Sequence, residues 1–113
     1  MIQIYHNSRC GKSRECLAFL ENSDKEFEVV KYLDNVPSFE ELKSIIEKLA
    51  IKPIELVRQK EKIWLEKYKN TTMSDDKIIQ AMISNPILIE RPIVINGNKA
   101  VIARPLEKIK AII

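Results

Sequence analysis

The sequence predicts an α/β fold: a four-stranded mixed sheet with helices packed on it and an all-helical lobe inserted at roughly residues 38–85. Three observations predict it. The elements fall in the order β-α-β, then helices only, then β-β-α. Asn96-Gly97-Asn98 stands between two β-branched runs, Ile93-Val94-Ile95 and Lys99-Ala100-Val101-Ile102, which is a hairpin signal. The stretches with helical spacing in the middle of the chain open on their own N-cap residues, Ser38 and Ser74.

In order along the chain, Met1 to Tyr5 reads as a short strand, with Ile2, Ile4 and Tyr5. Residues 11–22 form a helix whose apolar stripe is Cys16, Leu17 and Leu20, with Phe19 at its flank. Asn22-Ser23-Asp24-Lys25 breaks that pattern, and Phe27 to Val30 is a second strand parallel to the first. Together these make a βαβ unit, whose crossover is right-handed in nearly all proteins. Ser38 caps a helix reaching about Leu49, and Glu41 three residues on fits a capping box. Its inward face is Leu42, Ile45, Ile46 and Leu49. Pro53 opens a short helix, as proline can in a first turn, and Glu61 to Tyr68 holds the single tryptophan, Trp64. Ser74, followed by Asp75 and Asp76, starts a helix running to about Ser84 with Ile78, Ile79, Met82 and Ile83 inward. Pro86 stops it. After the hairpin and Arg104-Pro105, Leu106 to Ile113 closes the chain as a helix. A sheet of this order with a helical insertion is the thioredoxin-like architecture.

The whole-chain numbers limit what such a fold can do. At 113 residues, 45% hydrophobic and 31% charged, the chain is one domain able to build a core. A net charge of +3 is too weak to argue for nucleic acid. No apolar run approaches the ~18 residues of a membrane span, and no signal peptide is visible. The expected setting is therefore cytoplasmic, where thiols stay reduced. Two cysteines and one histidine cannot close a four-ligand zinc site, so no metal is expected.

The chemistry concentrates in Tyr5-His6-Asn7-Ser8-Arg9-Cys10-Gly11-Lys12-Ser13-Arg14. Cys10 falls in a strand-to-helix turn, where unpaired N–H groups and the helix dipole favour a thiolate or a bound oxyanion. Arg9, Lys12, Arg14 and His6 add positive charge. Such surroundings lower a cysteine pKa from ~8.5 to somewhere in ~3.5–7.5, which makes Cys10 the expected nucleophile. Cys16 is not its Cys-x-x-Cys partner. Six helical steps turn through ~600°, onto a different face, so Cys16 is expected in the core, with a resolving thiol reached by unwinding as the alternative.

These motifs together resemble the glutaredoxin-linked arsenate reductases. His6-Asn7-x-x-Cys10-Gly11-x-Ser13-Arg14 matches that family's signature, and Leu56-Val57-Arg58 looks like its first substrate arginine. Asn85-Pro86-Ile87-Leu88-Ile89-Glu90-Arg91-Pro92-Ile93-Val94 resembles its longest motif, and Arg104-Pro105 its third arginine site. Ser8-Arg9 departs from the Pro-Ala usual before the nucleophile, and Lys12 stands where a small hydroxyl residue is common.

The resemblance implies that Cys10 is the nucleophile and that His6 helps depress its pKa. Arg58, Arg91 and Arg104 would cradle the arsenate oxygens, with Ser13 and Gly11 completing the substrate-binding set. Pro92 would be a cis-proline facing the loop. No resident cofactor is implied: glutathione would be the co-substrate, glutaredoxin or a similar thiol donor the protein partner, and the chain a monomer. Guanidinium groups suit a tetrahedral dianion independently, because they stay charged and pair with oxyanions by two parallel hydrogen bonds. Two other readings of the same fold are open. One is a Spx-like regulator of RNA polymerase, whose usual switch is Cys-x-x-Cys where this chain has Ser13. The other is a thiol oxidoreductase with another substrate.

Overall fold

A computed structural model describes all residues, 1–113. The chain divides into two compact units: residues 1–35 together with 91–113, and residues 36–90. The second unit is the expected helical insertion, a few residues wider at each end.

The first unit holds the sheet. Its strands are β1 (Ile2–Tyr5), β2 (Phe27–Val30), β3 (Ile93–Asn96) and β4 (Lys99–Ile102), in the order β2-β1-β3-β4. β1 runs parallel to β2 and antiparallel to β3, and β3 pairs antiparallel with β4. Helix α1 (Gly11–Glu21) lays Cys16 and Leu20 on Ile2, Ile4 and Val94. Ala103 and Ile109 complete that core. Full burial of a Leu- or Ile-sized chain stabilises by about 1.5–3 kcal/mol, and Ile4, Leu20 and Ile109 in this cluster are each wholly buried. β2 is an edge strand with Glu28 and Val29 exposed. In the hairpin, Asn96 pairs with Lys99, and Gly97 takes the first central position of the turn at φ +65°. That is glycine's place in a II′ turn, where a Cβ would be strained. The last segment, Leu106–Ala111, is a 3₁₀ helix, tighter than an α-helix. Ile109 in it is fully buried, and Leu106, with Ile112 and Ile113 just beyond, packs partly buried against the same core.

The second unit is helical. In α2 (Phe39–Leu49), Ser38 Oγ accepts from the Glu41 N–H at 3.1 Å, and Leu42, Ile45 and Ile46 are buried. A 3₁₀ turn, Pro53–Leu56, follows, with Glu55 Oε2 accepting from the Lys52 N–H at 2.7 Å. α3 (Lys62–Lys67) buries Trp64, whose ring lies 5.4 Å from that of Tyr68. α4 (Asp75–Ser84) is capped by Ser74 Oγ, which accepts from the Lys77 N–H at 3.3 Å, and it packs on α2. Its buried face is Ile78, Ile79, Ala81 and Met82, so Ile83 is partly exposed where the spacing placed it inward. No helix is long and apolar enough to cross a membrane.

Candidate active site

One row of the sheet places the site. Val30 pairs with Tyr5, Tyr5 with Ile93, and Ile93 with Ile102, so four strand ends lie side by side. Lys31 follows the end of β2, and the His6–Cys10 loop follows the end of β1. Arg91-Pro92 precedes β3, and Ala103-Arg104 follows β4. The Ala103 N–H donates to the Pro92 carbonyl at 3.0 Å, which carries the hairpin pairing one step past the strands. Arg91 and Arg104 are the next opposite pair, and Arg104 Nη1 donates to the Arg91 carbonyl at 3.3 Å. Both Arg91-Pro92 and Arg104-Pro105 are cis. The first was expected; the second was not, because an Arg-Pro pair alone does not reveal its isomer.

The loop that presents Cys10 is stapled from inside. The His6 N–H donates to the Val30 carbonyl at 2.8 Å, continuing the β1–β2 pairing. Asn7 makes three bonds: its N–H donates to Ser13 Oγ at 2.9 Å, its Oδ1 accepts from the Arg9 N–H at 3.0 Å, and its carbonyl accepts from the Cys10 N–H at 3.0 Å. Such an Asx turn fixes a tight loop without glycine. Cys10 is the N-cap residue of α1, at φ −99° and ψ 123°. Cys10 lines a cleft of about 550 Å³ together with Arg9, Gly11, Lys12 and Glu15 on the loop and helix and with Arg91 and Arg104 from the hairpin. Arg104 Nη1 stands 3.9 Å from Cys10 Sγ. Arg104 thus stands beside the sulfur, and Arg91 and Lys12 line the same cleft at the first turn of α1, a setting suited to an oxyanion.

Several expectations change at this point. Ser13 is fully buried (0% exposed), and its Oγ bonds His6 Nδ1 at 2.6 Å and the Asn7 N–H. It therefore staples the loop, where a substrate-binding hydroxyl was expected. His6 is buried as well, and burial first, then the charges of Lys31 and Arg14, lower its pKa. A histidine held neutral does not supply the positive charge expected beside Cys10. Arg14 turns back to donate to the Ser8 carbonyl at 3.0 Å, so part of its charge serves the loop. Gly11 opens α1 and lines the cleft, and an added Cβ there would meet nothing closer than 3.7 Å. Its absence of a side chain is thus not a steric need. Cys16 is fully buried, with its thiol pushed up to about 11, first by burial and then by Glu15, which fits a core cysteine. Arg58 belongs to the helical unit. There Nη1 pairs with Glu61 at 2.9 Å and Nε lies 4.0 Å from Glu90, while its N–H donates to the Leu88 carbonyl at 2.7 Å. Asn7 and Glu15 were not singled out from the sequence. Asn7 was legible only as one letter of a motif, and Glu15 only once the α1 register was known.

The His6 environment makes a pH prediction. The unfolded chain takes up this proton more readily than the native one, so stability rises with pH. The contribution is complete above the ordinary value of 6.5 and is lost as pH falls from there through the lowered native value. Resistance to urea should thus fall as the pH is taken down through 6.5, and His6→Gln should flatten that slope. Equal slopes in the two proteins would assign the effect to another group.

A thioredoxin-like sheet whose β1–α1 loop offers a cysteine at a helix N-terminus, opposite a cis-proline, defines the class. The chain belongs to the ArsC family, whose model matches residues 5–112. It is 41% identical over 114 residues to an arsenate reductase of Neisseria meningitidis, covering 99% of this chain and 97% of the relative. It is 41% identical over 112 residues to an arsenate reductase of Haemophilus influenzae, covering 97% of each. A solved structure of an arsenate reductase from Vibrio cholerae superposes with a TM-score of 0.93 at 41% identity, over 99% of this chain and 97% of that one.

Proposed function

We propose that the protein is an arsenate reductase working through a Cys10 adduct. The observation that carries this reading is the Arg104 guanidinium 3.9 Å from Cys10 Sγ in a cleft shared with Arg91. The relatives named arsenate reductase support the choice of oxyanion. In the first step the Cys10 thiolate attacks the arsenic of HAsO₄²⁻, an As–O bond breaks, and the departing oxygen leaves as water, with two protons from solvent completing the balance. The product is a Cys10–S–AsO₃H⁻ adduct with arsenic still in its +5 state. Arg91 and Arg104 offset the repulsion between thiolate and dianion by charge-assisted hydrogen bonds. For Arg58 a share in substrate binding rests on the family motif alone.

Reduction then needs a second thiol. Cys16 is a poor candidate, being wholly buried with a raised pKa. An external thiol RSH attacks Cys10 sulfur and forms Cys10–S–S–R. The S–As electron pair passes to arsenic, which leaves as H₂AsO₃⁻ in the +3 state with the thiol's proton. A further thiol resolves the disulfide. Glutathione as co-substrate and a glutaredoxin as its recycler are part of this proposal. The test is arsenate-dependent NADPH oxidation with glutathione, glutathione reductase and glutaredoxin, set against glutathione alone. Turnover that needs arsenate, Cys10 and a thiol supports the reading. No turnover with any thiol donor, together with capture of RNA polymerase, would replace it with a regulatory one.

A further inference from the structure

A second cleft, of about 350 Å³, adjoins the first and has no role in the chemistry described above. It lies on the β2 side of the Cys10 loop and is lined by His6, Asn7 and Ser8 from that loop and by Lys31, Leu33 and Asp34 from the chain following β2. Arg9 lines both clefts, so they share a wall immediately next to Cys10. The order of the strands puts the arginine cleft on the β3–β4 side of the loop and this one on the other.

We propose that this cleft binds the amino-acid end of the small thiol that attacks the Cys10 adduct, a thiol carrying both a carboxylate and an ammonium group. The inference rests on the reductase reading and assigns the subsite of its co-substrate. Displacement at a divalent sulfur is in line, so the incoming thiol must approach Cys10 sulfur from the side opposite arsenic. With the oxyanion held by Arg91 and Arg104, that side is the one toward β2. The lining suits a zwitterion. Arg9 and Lys31 have no ion-pair partner and can meet a carboxylate. Asp34 can meet an ammonium, and Leu33, 40% exposed, offers an apolar wall for the stem. Lys31 and His6 line the same cleft, and the Lys31 charge is one of the influences that lower the His6 pKa. A bare oxyanion fits less well: Asp34 repels it, and it fills little of a cleft at the small end of the ligand-pocket range, roughly 300–1,000 Å³.

The test uses the full chain and two readouts. In the first, ¹⁵N-labelled protein is titrated with S-methylglutathione, which cannot react. Saturable shifts are expected at the amides of residues 7–9 and 31–34, with affinity about tenfold weaker in Lys31→Glu. Lys31 is exposed, so the variant should fold. In the second, kcat/KM is compared for glutathione and 2-mercaptoethanol at saturating arsenate. Lys31→Glu should lower the glutathione-to-mercaptoethanol ratio about tenfold. Asp34→Asn should lower it for glutathione but not for 3-mercaptopropionate, which has no amine. Shifts at these residues in a protein that turns over no arsenate would support the subsite and remove the reductase reading. Arsenate turnover with no such shifts and an unmoved ratio would overturn the subsite and leave the reductase reading in place. Saturation by a protein dithiol alone, without dependence on any small thiol, would also overturn it.

Discussion

Cys10→Ser is expected to lower arsenate turnover by at least ~10³-fold, while Cys16→Ser keeps it within about threefold of wild type. A serine hydroxyl at position 10 is far less nucleophilic than a thiolate and forms no adduct that a thiol can reduce. The cost of Cys16→Ser falls on stability. Its side chain sits in the core with Leu20, Ile4 and Val94, and a hydroxyl placed there loses water without gaining a sure partner. About 1–3 kcal/mol of unfolding free energy should be lost, visible as a lower urea midpoint. Iodoacetamide in native buffer should label Cys10 and spare Cys16, and both should react in denaturant. Equal loss of activity in the two variants would return Cys16 to the reaction as a resolving thiol.

The second large effect is expected at Arg104. Arg104→Ala should lower kcat/KM for arsenate by ~10²–10³-fold, the usual loss when one donor to a developing oxyanion is removed. Arg104→Lys should recover only about a tenth of wild-type activity. A lysine keeps the charge but loses the planar fork that can bond the Arg91 carbonyl and the substrate at once. Neither change should move the urea midpoint much, since the side chain is only partly buried. Michaelis constants for the thiol should stay near wild type, because Arg104 lines the oxyanion cleft and not the one on the β2 side. An Arg104→Ala protein with wild-type arsenate kinetics would remove the guanidinium from the site.

Much of this was legible in the sequence, and the reasons are local. Ser38 and Ser74 cap helices because each hydroxyl finds an N–H three residues on, a bond that needs no tertiary context. The hairpin followed from Asn96-Gly97 between β-branched runs, and the helical insertion from its own periodicity. What was hidden depended on partners distant in sequence. Ser13 looked like a substrate hydroxyl until His6 and Asn7 were seen to claim it. His6 looked like a cation until its burial was known. Lys31, Leu33 and Asp34 were not singled out from the sequence, and only the pairing of β2 with β1 brings them to the cysteine loop. The final segment carries helix-forming residues and was read as a helix, and its 3₁₀ winding was not legible from its spacing.

The pairing of β3 with β4 has a practical consequence. Arg91 and Arg104 oppose each other because the same register that joins Ile93 to Ile102 runs on past the strand ends. Their separation along the chain is therefore hairpin arithmetic, and the Gly97-Asn98 tip lies about six residues, roughly 20 Å, farther out. Lengthening both arms by the same even number of residues moves the tip and leaves the two guanidiniums where they are. Adding one residue to a single arm turns one arginine to the opposite face. The tip is thus the position at which a reporter peptide, a surface tether or a circular permutation would leave the reactive end of the molecule intact.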